Sequence, residues 1–285
     1  MAPLVARPGL MVTASLAIAA MMIAVSAIGL TSASDRLAAA GVTSSTAGVL
    51  VPSLPAHDAF NLLIAAPALL AMVWFAGRGS LLGSLLWPGA VFYVLYTYAI
   101  YLVGAPFGLL FLAYAALVAV SGLTLIGLLA GIDTGGVVRA SSGAVPARTV
   151  GGLLLALGGL TLAQDATGVV VTAVAASPAA EPLARGVWTV DLALEVPALL
   201  VGGLLLWHRA PLGHVIAPGL LFQFGLTPVA LAAILLVQPV LSGAAVDVGT
   251  LVGILAFAIV AFVPLVFYTR GPRTAGRAQV RRSSI

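Results

Sequence analysis

The chain has 285 residues, 62% of them hydrophobic and only 7% charged, with a formal net charge of +4 and no cysteine. A water-soluble domain carries about 25% charged residues, so this composition excludes one and requires a surface that faces lipid. Without cysteine there is no disulfide, thiol nucleophile or thiolate-bound metal, and with arginine as the only long basic residue there is no lysine imine chemistry.

Eight apolar runs approach the ~20 residues that a membrane-spanning helix needs; they lie near 9–31, 59–77, 81–103, 107–131, 149–172, 188–207, 215–237 and 248–268. Backbone groups in hydrocarbon must find partners within their own segment, so these runs predict helices. A membrane barrel would show alternating strands of about ten residues instead. The first run has Arg7 before it and Ser32-Ala33-Ser34 after it, the flanks of a signal peptide. It is apolar well beyond the roughly 7–15 residues of a signal core, so a retained helix is expected.

The connection 32–57 is rich in Ala, Ser, Thr and Pro and predicts irregular or partly helical caps, as does 173–187. The second helix opens with Asp58 and Asn61 on one face and carries Pro67 inside it. In the third, Tyr98 and Tyr101 fit an interfacial aromatic belt, while Tyr93 and Tyr96 lie deeper and offer hydroxyls. Gly104-Ala105-Pro106 predicts a tight turn into the fourth helix. Segment 133–148 gathers Gly, Ser, Pro and two arginines and reads as a linker. Asp165 then falls in the last turns of the fifth helix, and Asp191 and Glu195 share a face of the sixth, just before Pro197. Gln223 lies in the uncharged seventh helix, and 238–247 predicts a longer loop before the eighth. Trp87, Trp188 and Trp207 fall near helix ends and read as interface anchors.

Residues 23–97 align without a gap on 153–227, at a constant offset of 130. Gly29-Leu30-Thr31 recurs as Gly159-Leu160-Thr161, Pro67-Ala68-Leu69-Leu70 as Pro197-Ala198-Leu199-Leu200, and Pro88-Gly89 as Pro218-Gly219. The expected fold is therefore an all-α integral membrane protein of eight transmembrane helices in two parallel four-helix repeats. Four helices is an even number, so the repeats enter from the same side and are related by an axis along the membrane normal. The divisions are 1–132 for the first repeat, 133–148 for the linker, 149–269 for the second repeat and 270–285 for a basic tail.

With both termini in the cytoplasm, Arg78, Arg139, Arg148, Arg209 and the five arginines of the tail fall inside, and only Arg36 and Arg185 outside. That arrangement obeys the positive-inside rule and predicts a multi-pass protein of the cell membrane. The tail anchors the orientation and would attract anionic lipid.

Charge within a span is costly, about 2.5–3.5 kcal/mol by insertion scales, so the buried carboxylates are the candidate site. In this orientation Asp165, Asp191 and Glu195 converge on the outer half of the membrane, faced by Asn61, Tyr93, Tyr96 and Gln223. The two halves diverge there: Asn61 becomes Asp191, Ala65 becomes Glu195, Tyr93 becomes Gln223 and Tyr96 becomes Leu226. One asymmetric, outward-facing acidic pocket is expected, suited to a proton or a cationic or polar solute. Glu195 is its deepest carboxyl. The bland account is that Asp35, Asp58, Asp165 and Asp191 cap helix starts or sit in hydrated interface.

Two four-helix halves are also the layout of haem A synthase, but haem would need histidines within the spans. His57, His208 and His214 all fall at predicted span edges, so no cofactor and no metal is expected. There is no P-loop, nucleotide fingerprint or hydrolytic triad, so neither catalysis nor a nucleic-acid partner is expected. The tracts Arg78-Gly79-Ser80-Leu81-Leu82-Gly83, Leu86-Trp87-Pro88-Gly89, Tyr93 to Tyr101 and Trp207 to Gly213 resemble an uncharacterised group of bacterial and archaeal polytopic membrane proteins. The resemblance covers most of helices two to four and six to seven. It implies the architecture and carries over no activity. Two functional expectations stand: a secondary transporter or solute-binding protein, and a non-transporting scaffold, sensor or complex subunit; a membrane-bound enzyme acting on lipid is a distant third.

Overall fold

A computed structural model describes residues 8–32, 53–105, 107–141, 145–174, 182–242 and 246–269. These are helical, with no strand among them: α1 (Pro8–Thr31), α2 (Ser53–Phe60), α3 (Ala66–Gly77), α4 (Leu81–Gly104), α5 (Leu110–Gly131), α6 (Thr134–Ser141), α7 (Ala147–Val174), α8 (Pro182–Val190), α9 (Val196–Trp207), α10 (Pro211–Ser242) and α11 (Val248–Phe262). Two short π-helical turns, Asn61–Ala65 and Asp191–Glu195, join α2 to α3 and α8 to α9. Eight helices are long and apolar enough to cross a membrane: Pro8–Thr31, Leu54–Gly77, Leu81–Gly104, Leu110–Gly131, Ala147–Val174, Ala184–Trp207, Pro211–Leu236 and Val248–Thr269. The chain is thus all-helical and compatible with a multi-pass membrane protein.

The π turns have a local cause. Proline has no N–H and its ring crowds the preceding turn, and Pro67 and Pro197 sit at the starts of α3 and α9. Just ahead of each, the backbone widens: the N–H of Ala66 bonds the carbonyl of Asn61, and that of Val196 bonds Asp191, each five residues back. Each proline is therefore met by a π bulge instead of a simple kink. The bulges turn Asn61, Asp191 and Glu195 inward, where all three are buried.

The third and seventh spans form the centre. Of their most apolar windows 83% and 61% are buried, against 17–44% in the other six. α4 packs on α3, α5, α8 and α10, and α10 packs on α2, α4, α6, α9 and α11. The central pair crosses at Gly89 and Gly219, where a Cβ on Gly89 would overlap the carbonyl of Gly219. Tight turns feed both central helices. Gly79 takes a φ of 77° and Arg209 one of 58°, and a Cβ on Gly83 would lie 2.7 Å from the Ala76 nitrogen. Ser80 caps α4, its Oγ accepting the Gly83 N–H at 3.2 Å.

Several expectations need correcting. The second and sixth spans begin at Leu54 and Ala184, about one turn before their apolar runs; in the second the added turn carries His57 and the buried Asp58, and in the sixth it carries Arg185, which is exposed. α10 continues to Ser242, so the first half of the expected loop at 238–247 is helix. The linker 133–148 contains α6, with Val137 fully buried. Tyr98 and Tyr101 are 0% and 1% exposed and belong to no aromatic belt. Trp87 is buried too, its indole N–H donating to Ser15 Oγ at 2.9 Å. All three lie on α4, most of which is covered by its neighbours, so none of them reaches the surface of the bundle. Asp35, Arg36 and the basic tail lie outside the described residues.

Candidate functional site

Two polar clusters flank the central pair. The acidic one is assembled from four spans. Asp191, at the start of its π turn, accepts a 2.6 Å hydrogen bond at Oδ1 from the Tyr96 hydroxyl of α4. The Asp165 carboxyl, from α7, lies beside Asp191, and its Oδ2 is buried without a partner. Glu195 closes the same π turn and accepts the Gln223 Nε2–H of α10 at 2.9 Å. Gln223 Nε2 also reaches Thr227 Oγ1 at 3.3 Å, while its Oε1 is buried without a donor.

Asp165, Asp191 and Glu195 are 5%, 6% and 3% exposed. Among the described residues no arginine or histidine pairs with any of them. Charge in such a place is expensive. Its unfilled atoms, Asp165 Oδ2 and Gln223 Oε1, are both acceptors. Among the described residues no group of three or more His, Asp or Glu is arranged to hold a metal ion.

The second cluster lies on the α2 side. Tyr93 donates to Asn61 Oδ1 at 3.0 Å, and its hydroxyl is 3.1 Å from His57 Nε2. Asn61 is fully buried and its Nδ2 has no acceptor. Thr97 Oγ1 and Tyr101 Oη, from the same helix α4, are also buried without partners. Beyond them Tyr98 Oη meets Ser26 Oγ of α1 at 3.2 Å.

Of the expected site residues, Asp165, Asp191, Glu195, Tyr96 and Gln223 therefore meet in one cluster. Asn61 and Tyr93 bond each other and His57 instead, and make no hydrogen bond to the carboxyls. His57 was placed at a span edge by its sequence; it lies one turn inside Leu54–Gly77, against the rings of Phe60 and Tyr101. The only hint was its spacing, four residues before Asn61 on one helical face. Thr227, the remaining partner of Gln223, gave no signal in a threonine-bearing apolar helix. The chain matches no family model, no curated protein and no solved structure.

Proposed function

We propose that this membrane protein binds a proton or a small cationic solute at Asp165, Asp191 and Glu195, as a secondary transporter or a solute-binding protein would. The observation that carries this reading is three buried carboxyls sharing a site with no counter-cation among the described residues. Tyr96 and Gln223 hold two of them in place. Asp165 Oδ2 and Gln223 Oε1 are left as the acceptors a donor-bearing guest would satisfy.

The reading includes two repeats related by an axis along the membrane normal, with both termini cytoplasmic and the acidic pocket in the outer half. Several observations support the repeats. The π turns begin at Asn61 and Asp191, and the left-handed turn residues are Gly79 and Arg209; both pairs are separated by the offset of the sequence alignment. Equivalent pairs also make equivalent contacts: α4 packs on α8 as α10 packs on α2. Gly89 and Gly219, equivalent to each other, touch at the crossing, as residues on a two-fold axis must.

A second reading has support as well. Tyr96–Asp191 and Gln223–Glu195 each tie two spans together, which is what a scaffold or complex subunit needs from buried polar groups. The two readings separate on water access. The chain has no cysteine, so a lone cysteine at Glu195 is labelled selectively by a membrane-impermeant maleimide in oriented vesicles. Labelling from the outer side is expected. Protein that is folded, reacts at a control loop cysteine and stays unlabelled at 195 from both sides would leave the scaffold reading.

A further inference from the structure

Away from the acidic cluster, the first and second spans leave a groove between them. It measures about 630 Å³ and is lined by Val12 and Leu16 of α1, by Leu70, Val73, Trp74 and Gly77 of α3, and by Arg78 at its end. Apart from that one arginine, every lining residue is apolar or glycine.

The corresponding pair in the second half, α7 and α9, packs through glycines. A Cβ on Gly151 would lie 2.7 Å from the Trp207 nitrogen, one on Gly203 would lie 2.9 Å from the Gly151 carbonyl oxygen, and one on Gly158 would lie 3.0 Å from Leu199 Cβ. The residues 130 positions earlier are Met21, Val73 and Ile28, none of them glycine. Trp207 also lays its ring over Gly152. Its counterpart is Gly77, beside which a Cβ would meet nothing within 4 Å.

Arg78 stands at the mouth of this groove, its guanidinium 3.4 Å from the centre of the Trp74 ring. Stacking of this kind orients the planar fork. Among the described residues no carboxylate pairs with it. An apolar slot between two spans, ending in a stacked and unneutralised arginine, matches an anionic phospholipid: one acyl chain along Val12, Leu16, Leu70 and Val73, and the phosphate on Arg78. We propose that the groove between α1 and α3 is a binding site for an anionic phospholipid. It is independent of what the acidic cluster does.

Trp74 is half-exposed in the groove and serves as the reporter. The full chain would be reconstituted in phosphatidylcholine bilayers containing a low mole fraction of brominated phosphatidylglycerol or, separately, brominated phosphatidylcholine. The Trp74 signal is the emission lost in Trp74→Phe. Brominated phosphatidylglycerol should quench it about fivefold more effectively, the factor expected when one juxtamembrane arginine faces an anionic headgroup. Arg78→Gln should erase the preference. Gly77→Phe, which fills the slot and keeps the arginine, should lower quenching by both lipids. Equal quenching by the two lipids in the unmodified chain would overturn the proposal, as would a preference that survives in Arg78→Gln or quenching that is undiminished in Gly77→Phe. Weak quenching by both lipids, with two copies of the chain crosslinking through a cysteine at Leu16, would overturn it in favour of a self-association face.

Discussion

Trp87 and Asp247 mark opposite extremes of what a single polar group does in this chain. The Trp87 indole is buried, and its N–H donates to Ser15, which with the Tyr98–Ser26 bond ties α1 to α4. Trp87→Phe leaves Ser15 without that donor and should lower stability by about 1 kcal/mol, read as a drop in the thermal midpoint in a fixed detergent. Asp247 lies outside the spans and caps α11, accepting the Thr250 N–H at 3.1 Å and the Thr250 hydroxyl at 2.6 Å. Those hydrogen bonds hold its carboxyl below the ordinary carboxylate value. A lowered folded-state value means the cap stabilises the helix at pH above the ordinary value and is lost as pH falls through the lowered one. Amide protection at Thr250 and Leu251, taken as the ratio of intrinsic to observed exchange at each pH, should therefore fall in acid. Asp247→Asn keeps a capping oxygen and should abolish that pH dependence; a protection factor that still varies with pH in the variant would assign the effect to another group.

At the scale of the element, the two π turns decide where the polar side chains point. An α-helix advances about 100° per residue, so one inserted residue swings the helix before it by that angle relative to the helix after it. Asp191 meets Tyr96 because the turn is widened ahead of Pro197. Pro197→Ala restores an N–H and permits ordinary α winding through 191–196. A double-mutant cycle of Tyr96→Phe with Asp191→Asn should give a coupling of about 1.5–3 kcal/mol in the unmodified background, the range for a hydrogen bond to a charged group. The same cycle in a Pro197→Ala background should give a clearly smaller coupling. An unchanged coupling would show that packing of α8 on α4, and not the proline, sets the position of Asp191.

At the scale of the molecule, everything hangs on the central pair. The backbones of α4 and α10 touch at Gly89 and Gly219, and the outer helices pack around that contact. Gly89→Val forces the pair apart and should cost about 1–3 kcal/mol or more, as overpacking does. Gly253→Ala, at a position where a Cβ meets nothing within 4 Å, should stay within about 0.5 kcal/mol. Comparable losses in the two variants, measured as thermal midpoints, would mean that the crossing is not the anchor of the fold.

The number of spans, their approximate limits and their helical nature were legible in the sequence because they depend on local properties: apolar length, proline and glycine positions, and the need of every backbone group in hydrocarbon for a nearby partner. The carboxyls of the candidate site were legible for the same reason, since a charge within an apolar run stands out by itself. What decides the partners of those residues is not local. Tyr93 and Tyr96 stand three apart on α4, yet one faces Asn61 and His57 and the other faces Asp191, because different spans cover the two sides of that helix. His57 looked like an edge residue until the bundle drew the start of its span inward, and Tyr98, Tyr101 and Trp87 looked interfacial until most of α4 was covered by its neighbours. Hydropathy records how much of a helix avoids water, but lipid and protein avoid it equally well, so only the tertiary packing distinguishes a lipid-facing side from a buried one.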